Sequence, residues 1–188
     1  MMAFVSGAAL FAALSLAPGP RLAGLCHDNQ RLAEAAALAA DGVLWGAGAV
    51  VAWLAMVWIA PDVGRGLGAA SAGFLLIFLT VTLSRRFDVP ERPARSRPFF
   101  DPLVRPDLWF DALIVFPAFA LATVDAPAAL LALVAGALAA AAAAYGLAAR
   151  PALSRDARFW WRMRWAMTFA GLGAVAILVA RLLTSPSS

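Results

Sequence analysis

The stretch Ala35-Ala-Ala-Leu-Ala-Ala-Asp41-Gly-Val-Leu-Trp45-Gly-Ala-Gly-Ala-Val-Val-Ala-Trp53-Leu-Ala-Met-Val-Trp58-Ile-Ala60 decides the fold. Only one side chain in it, Asp41, is charged. The run exceeds the ~20 apolar residues that a helix needs to cross a bilayer. The rest of the chain agrees with it. Of 188 residues, 63% are hydrophobic and 14% charged, and the mean hydropathy is +0.82. A soluble domain of this size has no means of burying so much apolar surface, and a disordered chain has far less of it.

Further apolar runs lie on both sides. The first covers residues 1–17. It has no basic residue before Arg21 and runs into Pro18-Gly19-Pro20 rather than a small-x-small cleavage site. It therefore reads as a span and not as a signal peptide. The second covers 35–60, on a helix beginning near Gln30 and ended by Pro61-Asp62. Others cover 66–84, 108–124 with Pro117 inside, 127–149 and 158–183. Residues 85–107, rich in Arg and Pro, read as a cytoplasmic loop. The expectation is an all-α polytopic membrane protein, one domain of six transmembrane helices.

Charge sets the orientation. All fifteen Lys+Arg residues are Arg. Thirteen belong to the side of the loops after the first, third and fifth runs, counting Arg158, Arg162 and Arg164 at the start of the sixth run, and only Arg65 and Arg181 fall on the other side. Basic residues collect in cytoplasmic loops. Both termini are thus expected outside, in the periplasm, with the chain in a bacterial inner membrane. The basic pI of about 10.9 follows from this bias and does not imply nucleic acid. Trp53 and Trp58 are expected as outer interfacial anchors, and Trp109, Trp160, Trp161 and Trp165 as inner ones.

Several chemistries are set aside by count. A lone Cys26 forms no internal disulfide. A lone His27 cannot supply a bis-His haem, and the pair is too few ligands for zinc. No cofactor or metal is expected. No nucleophile–base set is visible, so the reading is non-enzymatic. Ser6, Ser15, Ser71, Thr80 and Thr82 read as helix–helix hydrogen bonders.

Small residues at four-residue spacing mark close packing: Gly42 with Gly46, Gly64 with Gly68 and Ala72, and Gly171 and Gly173 in the last run. Such stripes fit contacts within one chain, a homo-oligomer, or a partner in a membrane complex. The alanine run from Ala139 to Ala144 carries no chemistry.

Three acids escape the loops. Glu34 and Asp41 are seven apart and share one helix face. Asp41 lies inside the apolar stretch, and Asp111 lies about one turn inside the fourth run. A carboxylate at that depth normally faces the bundle interior or a water-filled cavity. Asp41, Asp111 and Glu34 are therefore the candidate substrate-amine or proton-coupling groups. The competing reading is an ion pair to Arg31 or Arg105, or snorkelling to the interface. A cavity bounded by the first, second and fourth spans would favour transport; a closed, dry bundle would favour a structural subunit.

The Pro18-Gly19-Pro20 break leaves backbone groups unpaired at the membrane edge, where only protein or water can cover them. The sequence Phe11-Ala-Ala-Leu-Ser-Leu-Ala-Pro18-Gly19-Pro20 resembles the opening of the LysE/RhtB family of amino-acid exporters. Leu67 to Arg85, Phe99 to Asp111, and Trp160-Trp161-Arg-Met-Arg164 resemble later parts of that family. Where the family carries Asn-Pro-Lys, this chain has Arg105-Pro106-Asp107, so only Pro106 carries over. Asp41 stands where a small residue is common. The resemblance implies six spans and proton-driven export of a small amino-acid-like solute. In it Pro18, Gly19, Pro20 and Pro106 would shape broken helix ends. The reading from another class is a non-transporting accessory subunit of a membrane complex.

Overall fold

A computed structural model describes residues 1–14, 30–59, 61–84, 99–148, 150 and 157–184. Among them the chain is almost entirely helical and contains no strand. We label the helices α1 (Met2–Leu14), α2 (Gln30–Trp58), α3 (Pro61–Ser84), α4 (Phe100–Leu103), α5 (Pro106–Phe110), α6 (Phe116–Thr123), α7 (Pro127–Ala148) and α8 (Ala157–Thr184). A π-helical turn, Asp111–Val115, joins α5 to α6 and makes one continuous rod of them.

Five helices are long and apolar enough to cross a membrane: Leu32–Trp58, Val63–Ser84, Pro106–Thr123, Pro127–Leu147 and Arg158–Thr184. The chain is a multi-pass membrane protein, its spans helical among the described residues. α1 is apolar but only 13 residues long, about 20 Å of helix. Large apolar side chains on the outside of the bundle remain bare, among them Leu131 at 75% and Ile77 at 67% exposure. Lipid is the solvent that suits such a surface.

The helices begin and end for local reasons. Pro61 opens α3 as well as ending α2, so that helix starts five residues before the expected 66. Proline at the first turn has no N–H to lose there. Pro106 opens α5 in the same way, after an extended Arg105. Within the expected 85–107 loop, residues 100–103 coil into α4. The Trp109 indole donates to the Leu103 carbonyl across 2.8 Å and holds α4 against α5.

Glycines set the tightest crossings. A Cβ on Gly7 would sit 1.9 Å from the Leu133 carbonyl oxygen, and one on Gly136 would sit 1.9 Å from that of Phe4. The α1 and α7 backbones therefore touch. Further along both helices, the Phe11 and Tyr145 rings meet at 6.3 Å. Contacts advance together, so the two helices run parallel. α3 runs antiparallel to α8: Gly68 lies near Leu182, Leu79 near Gly171, and Arg164 donates to the Thr82 and Leu83 carbonyls at 2.7 and 3.0 Å. That guanidinium satisfies carbonyls that the end of α3 leaves open. At the other end of α8, Arg181 pairs with Asp125 at 3.2 Å.

Gly42 and Gly46 meet nothing within 4 Å of a built Cβ among the described residues, so of the alternatives for that stripe a contact within the chain is not seen, and Gly48 makes the intrachain contact. Four-residue spacing identifies a stripe but not the side that meets a neighbour. Two expectations on packing are corrected. Trp160 is 2% exposed and belongs to the core, whereas Trp53, Trp58, Trp161 and Trp165 lie outside. Ser6 and Thr80 bond to the carbonyl four residues back in their own helices, not across to another. A hydroxyl finds that carbonyl without needing a partner helix.

Candidate functional site

Asp41, Trp45, Gly48 and Ala52 follow one another at spacings of four, three and four along α2, and all four are buried. This is the helical period of a single face. It packs against the rod formed by α5, the π turn and α6. A Cβ on Gly48 would lie 2.3 Å from the Ala112 carbonyl oxygen, so α2 lies directly on the backbone of the π turn. One turn back, the Trp45 and Phe116 rings meet at 5.3 Å.

The π turn makes that contact possible. In a regular α-helix, residues five apart point about 140° away from each other. Asp111 and Phe116 are five apart. In the π turn the Phe116 N–H donates to the Asp111 carbonyl, so residues five apart stack as residues four apart do in an α-helix. Asp111 and Phe116 thus both reach α2. Pro117 supplies a local cause. It lacks an N–H, and its ring would press on a carbonyl of the preceding turn. Widening the ladder relieves that pressure.

A small cavity lies where the helices meet. Its lining is Leu14 from α1, Asp41, Leu44 and Trp45 from α2, and Leu108, Asp111 and Ala112 from the fourth rod. Its volume is about 20 Å3, room for roughly one water molecule. The two carboxylates singled out in the sequence therefore share one cavity, between the first, second and fourth helical rods. Asp41 is at the deep side, 1% exposed. Asp111 is half-buried.

Asp41 has a partner that sequence reasoning missed. The Tyr145 hydroxyl, from α7, donates to Asp41 Oδ2 at 2.5 Å. Placing a carboxylate inside a bilayer costs about 3 kcal/mol, and a hydrogen bond to a charged group returns about 1.5–3 kcal/mol. One such bond offsets a large part of the cost. Phe11 stands edge-on to Tyr145 at 6.3 Å and to Trp45 at 6.5 Å. The carboxylate thus sits within an aromatic cluster of Phe11, Trp45, Phe116 and Tyr145. Tyr145 is the only tyrosine in the chain and follows the alanine run closely. A deep acid in need of a donor was the one signal that pointed to it.

The other candidates are placed as follows. Glu34 is half-buried two turns before Asp41 and is not among the residues lining the cavity. Arg105, offered as a partner for Asp111, forms a bidentate ion pair with Asp107. Pro106 stands at the start of α5, two residues before the cavity residue Leu108. Pro18, Gly19 and Pro20 lie outside the described residues, as does the side chain of Arg31. No group of three or more metal-ligand side chains gathers among the described residues. The chain matches no family model, no curated protein and no solved structure.

Proposed function

We propose that this chain is a secondary exporter of a small amino-acid-like solute, driven by the proton gradient across a bacterial inner membrane. Asp41 and Asp111 act as the coupling or amine-binding carboxylates. The observation that carries the reading is their convergence, from two different helical rods, on one cavity. Two acids buried near each other inside a membrane protein suit groups that exchange protons or hold an ammonium. The motif resemblance to the LysE/RhtB exporters supports the solute class. The parallel course of α1 and α7 supports a first span that crosses together with the other five. The arginine asymmetry supports termini on the outer face.

A volume of about 20 Å3 is too small for an amino acid, so transport requires the rods to part. The widened hydrogen-bond ladder at Asp111–Val115 gives the rod formed by α5, the π turn and α6 a place to bend.

The same small volume favours a second reading, a non-transporting subunit of a larger membrane complex. Vesicle assays separate the two. Gradient-dependent solute flux in wild type that collapses in Asp41→Asn supports export by way of Asp41. Flux that persists unchanged removes Asp41 from the mechanism. Absence of flux, together with co-purification of fixed partners at fixed stoichiometry in mild detergent, establishes the subunit reading.

A further inference from the structure

Trp45 lines the same cavity as the two carboxylates. Its side chain is 6% exposed, and its Nε1 is buried with no hydrogen-bond partner among the described residues. A buried N–H left unsatisfied costs about 1–3 kcal/mol. The indole therefore asks for an occupant with a lone pair. The carboxyl oxygens of Asp41 and Asp111, which line the same cavity, accept hydrogens from any occupant that donates them.

An ammonium ion has no lone pair for the indole, and a metal ion gains nothing from an N–H. An amino acid exceeds the volume. Water has both functions and fits, since a cavity of this size holds one water when two to four polar partners surround it.

We propose that this cavity is a water site, and that the water joins Asp111 to Asp41 as a proton path. The inference rests on reading those two residues as the coupling carboxylates. In one step the Asp111 carboxyl gives its proton to the water oxygen, and the water gives one of its own hydrogens to the Asp41 carboxylate. Asp111 ends as a carboxylate, Asp41 as a carboxylic acid, and the water is regenerated. The direction follows burial: Asp111, half-buried, is the entry, and Asp41, nearly inaccessible, is the inner station. The Tyr145 hydroxyl holds Oδ2 of Asp41 and so fixes the orientation of the receiving group. Trp45 is a positioning residue that orients the water by donating to its oxygen.

The test uses the full chain in lipid. A crystal or cryo-electron map that shows ordered waters is expected to place a peak within hydrogen-bond distance of Trp45 Nε1 and both carboxylates. That peak is expected to be lost in Trp45→Phe, which keeps an aromatic ring. Infrared spectra provide a second readout that does not depend on Trp45→Phe folding. Asp111→Asn is expected to remove its own carboxyl C=O band and shift that of Asp41, with the converse in Asp41→Asn. Absence of the peak from the wild type, or an Asp41 band unmoved by Asp111→Asn, overturns the water path. Solute flux without the peak leaves export standing and removes the path. The peak and coupled bands in a chain that moves no solute leave the path standing and remove export.

Discussion

The Tyr145 hydroxyl donates to Asp41 Oδ2 across 2.5 Å and ties α7 to α2 inside the apolar core. Tyr145→Phe removes the donor and keeps the ring. Interhelical hydrogen bonds in membranes contribute modestly, and charged acceptors stand at the upper end of the range. We expect the unfolding free energy in mixed micelles to fall by about 1–2 kcal/mol. Asp41→Asn, which retains a carbonyl acceptor, should lose less. An unfolding free energy unchanged by Tyr145→Phe contradicts the role given to this bond.

Gly7→Ala and Gly136→Ala each push a methyl group into a facing backbone carbonyl. The cost expected for such overpacking is about 1–3 kcal/mol. Gly42→Ala and Gly46→Ala meet open space and remove a flexible residue from a helix, so they should be neutral or stabilise by up to about 1 kcal/mol. Melting all four variants in one detergent compares the two pairs directly. Equal losses would show that the α1–α7 crossing is not the tight one.

Pro117→Ala restores an N–H just beyond the π turn. A regular α-helix then becomes accessible, and Asp111 and Phe116 no longer share a face. Stability is expected to hold or rise, while solute-dependent proton movement falls, the usual exchange between stability and function at a strained site. Retention of full activity would show that the π turn has no part in positioning Asp111.

The termini and loops are assigned to sides by the arginine count. In a Cys26→Ser background, Asp125→Cys should react with a membrane-impermeant maleimide in intact cells. Glu91→Cys, in the arginine-rich loop, should react only after the cells are opened. The reverse pattern inverts the topology.

Much of this architecture is legible in the sequence, because long apolar runs with few charges leave few alternatives. A long helix is described at Gln30–Trp58, where the sequence places one beginning near Gln30 and apolar from Ala35. The depth of Asp41 and Asp111 in their runs marked them as the residues to follow, and they line one cavity. What was not legible depends on contacts across the bundle. Gly48 packs against another helix of the chain and Gly46 meets none among the described residues, because spacing along one helix says nothing about where its neighbour lies. Tyr145 pairs with a residue 104 positions away. Pro117 was visible inside the fourth run, but the turn it disturbs lies before it, at Asp111–Val115.

The central claim is that the cavity carboxylates couple proton movement to solute movement. The direct measurement is internal pH in proteoliposomes that hold the purified chain and a trapped pH-sensitive dye, challenged with a panel of amino acids. The account predicts that at least one of them drives a pH change in wild type, and that Asp41→Asn and Asp111→Asn, folded and reconstituted to the same level, each abolish it. A solute-driven pH change of full size in Asp41→Asn, or none with any of the panel in wild type, contradicts it.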